Sequence, residues 1–212
     1  MRRSVLSILV VALLSTACVA QPGTSETRLA LVAYSTPREA YAELIRAFQA
    51  TPDGSGVGFD ESYGGSTEQS RAVQEGLPAD VVALSLEPDI TSLVSGGLVD
   101  ANWNANPRRG IVTDSVVVLV VRKGNPRGIR DWPDLLRPGI EVITPSPFTS
   151  GGARWNLLAA YGAQVRQGGS DDDAVAYLRN LFTHVPVQAK SAREALRAFV
   201  GGKGDAMLAY EN

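Results

Sequence analysis

The stretch "TPSPFTSGGARW", Thr144 to Trp155, decides how this chain is read. Just ahead of it, Ile140, Val142 and Ile143 make an apolar, strand-like run. A Pro/Ser/Gly turn follows, and from Gly151 the pattern is helical. A helix that begins this way leaves backbone N–H groups without acceptors, and such groups attract anions. A nucleotide-phosphate loop would end in Gly-Lys-Ser/Thr, and that ending is absent here. The stretch therefore predicts an anion site made of neutral donors.

The same design recurs. A strand ends, a short polar residue appears and a helix starts in "AYST" (33–36), "YGGSTEQ" (63–69), "FTSGGARW" (148–155) and "AKSAREAL" (189–196). Ser66 with Gln69, and Ser191 with Glu194, fit the S-x-x-[EQ] capping box. Taken singly, each is an ordinary helix cap. Taken together, each lies at the carboxyl end of a predicted parallel strand, so all four can face one cleft. The glycine pairs 64–65 and 151–152 allow close backbone approach by a guest. No Lys or Arg is obligatory in these loops, apart from Arg38, Arg154 and Arg193 one to three residues inside the helices. A site with donors only disfavours an anion that still carries a proton, because that proton would lack an acceptor. The loops hold no carboxylate to serve one, so a fully ionised anion such as sulfate is favoured over phosphate.

Working outward, strand-like and helix-like runs alternate. Strands are predicted over 28–34, 57–63, 80–86, 115–122, 141–144, 185–188 and 206–210. Helices are predicted over 36–50, 66–75, 88–94, 151–161, 172–182 and 192–200. In the first helix, Tyr41, Leu44, Ile45 and Phe48 recur at i, i+3, i+4, i+7 spacing. The β-branched run "SVVVLVVR" (115–122) reads as a central strand buried on both faces. The alternation implies an α/β architecture with parallel sheets. Two lobes are expected, 28–112 and 123–212, joined by a hinge or crossover at 113–122.

The N-terminus reads as a targeting segment. Arg2 and Arg3 precede an apolar run from Val5 to Leu14, too short to span a membrane as a helix. "LLSTAC" resembles a bacterial lipoprotein signal, with Leu14 four residues before Cys18, the sole cysteine. Residues 1–17 are thus expected to be a signal peptide, 18–27 a tether, and Cys18 a lipid attachment site. The exported chain would be periplasmic or at the cell surface, with ordinary secretion as the alternative. At 212 residues, 44% hydrophobic and 20% charged, the composition is that of a globular protein. A formal net charge of −2 and the lack of any Lys/Arg run exclude a nucleic-acid footprint.

Several stretches resemble the periplasmic sulfate-binding proteins, the substrate-binding subunits of sulfate/thiosulfate ABC importers. They are "AYSTPREAY" (33–41), "YGGSTEQ" (63–69), "RKGNPRGIRDWPDLLRPGIEVITPSP" (122–147), "SGGARWNLLAAYG" (150–162) and "GDAMLAYEN" (204–212). The resemblance implies a type II periplasmic-binding-protein-like fold, two α/β lobes closing over one dehydrated sulfate, without metal or cofactor. It implies donors from the Ser35 N–H and the Ser66 N–H and hydroxyl in one lobe. In the other it implies Ser150, the N–H groups of Gly151 and Gly152, the Ala192 N–H, and Tyr210 where the family has tryptophan. Gly65 is a supporting residue, and Asp80 with Arg193 is expected to form an ion pair across the cleft. The implied partners are sulfate or thiosulfate, a membrane permease, and the membrane itself through Cys18; the chain is expected to be a monomer. The family continues past this motif and returns to lobe one, so a C-terminal truncation is expected. A chain so shortened leaves a remnant without binding activity as one reading.

An enzyme is the rival class. The G-x-S-x-G elbow is absent, and His184, the sole histidine, lacks an obvious acid partner. His184 reads instead as a residue near a helix C-terminus. "SDDDA" (170–174) reads as acids at a helix start, and Asp131 as the cap of a short helix at Trp132-Pro133.

Overall fold

A computed structural model describes residues 27–212. Signal peptide, tether and Cys18 fall in or next to the preceding segment, and Cys18 lies outside the described residues. Seven strands and six α-helices alternate among the described residues.

The first sheet is parallel, with order β2-β1-β3: β1 is Thr27–Tyr34, β2 Val57–Gly64 and β3 Val81–Ala83. Helices α1 (Arg38–Gln49), α2 (Ser66–Gln74) and α3 (Glu87–Ser95) follow its strands in turn. Because β1 is central, the chain leaves it to one side for β2 and to the other for β3. The crevice beyond the ends of β1 and β3 is therefore a switch point where such sheets bind ligands.

The second sheet has order β4-β7-β5-β6. Its strands are β4 (Val117–Val121), β5 (Val142–Pro145), β6 (Gln188–Ala189) and β7 (Ala206–Tyr210). Strands β5, β6 and β7 run parallel, and β4 runs antiparallel to β7. Helices α4 (Gly151–Arg166), α5 (Asp171–Thr183) and α6 (Ala192–Val200) complete this lobe, with a 3-10 turn at Trp132–Leu136.

Caps explain several boundaries. Ser170 and Asp173 form a reciprocal capping box at the start of α5, followed by the acids that suit a positive helix end. Asp131 caps the 3-10 turn by accepting from the Trp132 N–H at 2.8 Å. His184 closes α5, and its Nδ1 lies 2.9 Å from the Ile140 carbonyl oxygen, so the ring ties α5 to the approach of β5.

The apolar run at 115–122 departs from expectation. It forms an edge strand, and all five β4 residues are only half-buried. A continuous apolar run fits either position; antiparallel pairing with β7, far away in sequence, selects the edge. The strand expected over 80–86 shortens to three residues, and the one over 185–188 to two, displaced toward Ala189. Val185 is buried as loop in the second core instead.

Candidate functional site

Five strand ends and the helix starts beyond them converge. Residues of 34–36, 64–66 and 85 from the first lobe and Ser150, Gly152 and Ala192 from the second enclose one cavity. Its volume is about 10 Å³, room for about one water-sized guest with the lobes as they stand. None of its wall residues is charged.

The lobes meet directly around this space. Glu68 N–H donates to the Thr149 carbonyl at 3.2 Å, and Arg71 to the Phe148 carbonyl at 3.3 Å. The Trp155 indole N–H donates to the Ser85 carbonyl at 2.9 Å. Two glycines make the approach possible. A Cβ on Gly65 would stand 2.3 Å from the Thr149 carbonyl oxygen and 2.8 Å from that of Lys190. A Cβ on Gly151 would stand 2.2 Å from the Ser85 Oγ and 2.9 Å from the Leu86 Cγ. Each glycine thus lies against the opposite lobe.

Three helix starts supply donors. The N–H groups of Ser66 and Thr67 on α2, Gly151 and Gly152 on α4, and Ala192 on α6 have no acceptor among the described residues. Ser150 caps α4 by accepting from Ala153 N–H at 3.3 Å, and Ser191 caps α6 by accepting from Glu194 N–H at 3.3 Å. The Glu194 carboxylate turns to Lys190 N–H at 3.1 Å. Ser66 is not a cap. Gly65 holds that position with φ −70° and ψ 139°, which frees the Ser66 side chain.

Two donors implied by the resemblance are engaged within the first lobe. Ser35 N–H donates to the Gly64 carbonyl at 2.9 Å. Ser66 Oγ donates to the Asp89 carboxylate at 2.6 Å and accepts from Ser85 N–H at 2.9 Å. Asp89 is buried and also accepts from Thr67 Oγ1 at 3.0 Å, so it anchors the start of α2 from below. It was not foreseen, because its partners lie some twenty residues earlier in the chain.

The expected Asp80–Arg193 pair does not form. Asp80 accepts from the Ala30 N–H at 2.7 Å, between strands of the first sheet. Arg193 instead bonds the Ser35 carbonyl at 3.3 Å and pairs with Glu39 on α1. The helix α1 brings Glu39 to the lobe junction, whereas Asp80 precedes β3 in the sheet. Glu39 is held below its ordinary range, first by the Arg193 hydrogen bond.

Ser35, Gly65, Ser66, Ser150, Gly152 and Ala192 thus share one cavity wall. Gly151 and Tyr210 adjoin it: the Tyr210 hydroxyl lies 3.5 Å from where a Gly152 Cβ would be. Burial pushes the Tyr210 phenol up to about 12, and the neighbouring Ser85 hydroxyl works against that shift. Two further wall hydroxyls, Thr36 Oγ1 and Ser85 Oγ, are buried without a hydrogen-bond partner. Among the described residues, no cluster of His, Cys, Asp and Glu has the makings of a metal site.

Residues 29–212 match the family profile described as bacterial extracellular solute-binding protein. The chain belongs to that family. This solute-binding protein is 46% identical over 186 residues to a sulfate-binding protein of Synechococcus elongatus, covering 86% of this chain and 53% of that relative. It is 38% identical to a thiosulfate-binding protein of Pseudomonas aeruginosa, covering 85% and 56%. Among solved structures it resembles the sulfate-binding protein SubI from Mycobacterium tuberculosis H37Rv. That match has 49% identity and a TM-score of 0.83, covering 87% of this chain and 65% of the other. A periplasmic thiamin binding protein, 21% identical with a TM-score of 0.63, shares the fold alone. The solute-binding protein described here therefore spans about half to two thirds of these relatives' length.

Proposed function

We propose that this protein binds sulfate outside the cytoplasm and hands it to the membrane permease of an ABC importer. One observation carries the reading: bare amides from three helix starts surround a small cavity whose wall holds no charged side chain. Helix N-termini and neutral donors suit a compact, fully ionised oxyanion. The lack of a wall carboxylate disfavours a guest that needs its own proton accepted. Arg193 serves the lobe junction and not the cavity. The sulfate-binding relatives, at 46% and 49% identity, support the same guest.

In this reading the lobes are 28–112 and 123–212 with the crossover at 113–122, and the binding residues are Ser66, Ser150, Gly151, Gly152, Ala192 and Tyr210. Ser35 contributes position more than its N–H, which is already bonded. The protein works as a monomer, without catalysis, tethered to the membrane through a lipid on Cys18. Thiosulfate is the second reading, favoured by Tyr210 at the cavity's edge and by the thiosulfate-binding relative.

Calorimetric titration of the full chain with sulfate, thiosulfate, molybdate and phosphate, at fixed ionic strength, tests this. Sulfate is expected to saturate one site and to raise the thermal midpoint with concentration. Phosphate binding as tightly as sulfate at neutral pH would overturn the proposal.

A further inference from the structure

Thr36 and Ser85 stand where the first sheet switches direction. Thr36 follows the end of β1, and Ser85 follows β3. Both line the cavity, and both hydroxyl oxygens are shielded from solvent; Thr36 Oγ1 has no partner, and Ser85 Oγ forms no hydrogen bond of ordinary length, its one polar contact being a loose one to the Tyr210 phenol. Native interiors rarely leave such groups unpaired, and an exception points to a ligand or water. Two neighbouring donors have partners already: Ser35 N–H bonds Gly64, and the Ser66 hydroxyl bonds Asp89, which leaves the bare Ser66 and Thr67 amides beside these two hydroxyls.

We propose that the Thr36 and Ser85 hydroxyls are the first lobe's side-chain donors to the bound anion and set its affinity. This rests on the anion-binding reading above. Ser85 is placed from both sides. Its N–H donates to Ser66 Oγ at 2.9 Å, and its carbonyl accepts from the Trp155 indole of the opposite lobe at 2.9 Å. The side chain is thereby fixed between Gly151 and the Tyr210 phenol. Trp155 is a positioning residue here: it bonds Ser85 from the opposite lobe and is not part of the cavity wall.

The full chain and the variants Ser85→Ala, Thr36→Val and Trp155→Phe are titrated with sulfate and thiosulfate at fixed ionic strength. Each hydroxyl variant is expected to weaken binding of the preferred anion about tenfold, as for loss of one hydrogen bond to a charged group. Without ligand, its thermal midpoint should be unchanged or higher, because a buried unpaired hydroxyl has gone. Trp155→Phe should weaken binding less, and adding it to Ser85→Ala should cost less than in the parent chain. Unchanged affinity in both hydroxyl variants, with a parent chain that binds, would overturn this proposal and leave the anion site standing. Weakened binding with an equally lowered ligand-free midpoint would overturn it too, by making the hydroxyls structural. A parent chain that binds neither anion would overturn both readings.

Discussion

In the second lobe Leu135, Val142, Ile143 and Leu181 are all shielded from solvent, whereas α1 of the first lobe buries none of its residues. Both lobes present the same working parts at the cleft: parallel strand ends, short polar turns and helix starts. They differ behind it. In the second lobe α4, α5 and the 3-10 turn enclose one apolar cluster, and α6 closes another with Ile143, Phe199 and Met207. In the first, burial is concentrated in β1 and in the α2–α3 side, at Leu31, Val32, Leu86, Ile90 and Leu93. On the proposed reading, anion recognition and stability reside in different atoms: recognition would use amides at the front of both lobes, whereas stability depends most on side chains at the back of one.

The hardest test of that separation is Leu181→Ala. Leu181 is 1% exposed, within the larger cluster of the second lobe. Removing it leaves a cavity among packed side chains and should cost about 2–5 kcal/mol in denaturant unfolding. A loss below about 0.5 kcal/mol, the level of a neutral surface change, would end the claim that the second lobe holds the core.

Gly65→Ala probes the front instead. Its φ of −70° suits any residue, so the effect is steric and not conformational. The new methyl would meet the Thr149 and Lys190 carbonyl oxygens, backbone atoms of the other lobe. Overpacking of this kind costs about 1–3 kcal/mol, which predicts a tenfold to hundredfold loss of anion affinity in titration calorimetry. The loss of ligand-free unfolding free energy should be smaller than the loss of affinity, since the contact lies at the lobe junction and outside the apolar clusters. Equal losses in both measurements would tie the junction to folding and erase the separation.

How much of this was legible follows from what is local. The helix over 192–200 and the strand over 206–210 match the periodic pattern residue for residue. The caps at Ser150 and Ser191 also follow from sequence, because a cap involves residues three apart. Ser66 fitted the same signature, yet the cap is Gly65, because Asp89 draws the serine hydroxyl away. The exposure of β4 depends on pairing with β7, and the Arg193 partner depends on where α1 lies. Thr36 and Ser85 matter because they lack partners, which no sequence pattern displays.

The Arg193–Glu39 pair gives a smaller, pH-dependent test of the junction. Glu39 is exposed, and its carboxyl is held down first by the Arg193 hydrogen bond. A carboxyl lowered in the closed form contributes while ionised, and that contribution fades as pH falls through its lowered value. Sulfate stays doubly ionised across this range, so its affinity reports on the protein. Affinity should hold from about pH 7 down to the ordinary glutamate value of about 4.3 and decline below it. Glu39→Gln should bind slightly more weakly at neutral pH, with a flatter profile. Raised salt should narrow the difference, as for any exposed pair. An unchanged profile in Glu39→Gln would mean the pair does not bear on closure.

The smallest effect belongs to the apolar stripe of α1. Tyr41, Leu44, Ile45 and Phe48 recur at helical spacing, the usual mark of a face turned to a core. Yet Leu44 is 58% exposed and Phe48 38%, and the Phe48 ring meets the edge of Phe59, at 6.1 Å between centroids. A side chain already in water has little transfer free energy to lose, so Leu44→Ser should shift the unfolding free energy by no more than about 0.5 kcal/mol. The same change on a covered stripe would resemble Leu181→Ala. The ratio of the two losses in one denaturant series therefore measures the asymmetry between the lobes directly. A ratio near one would show that α1 is covered in solution and that the first lobe carries a core comparable to the second.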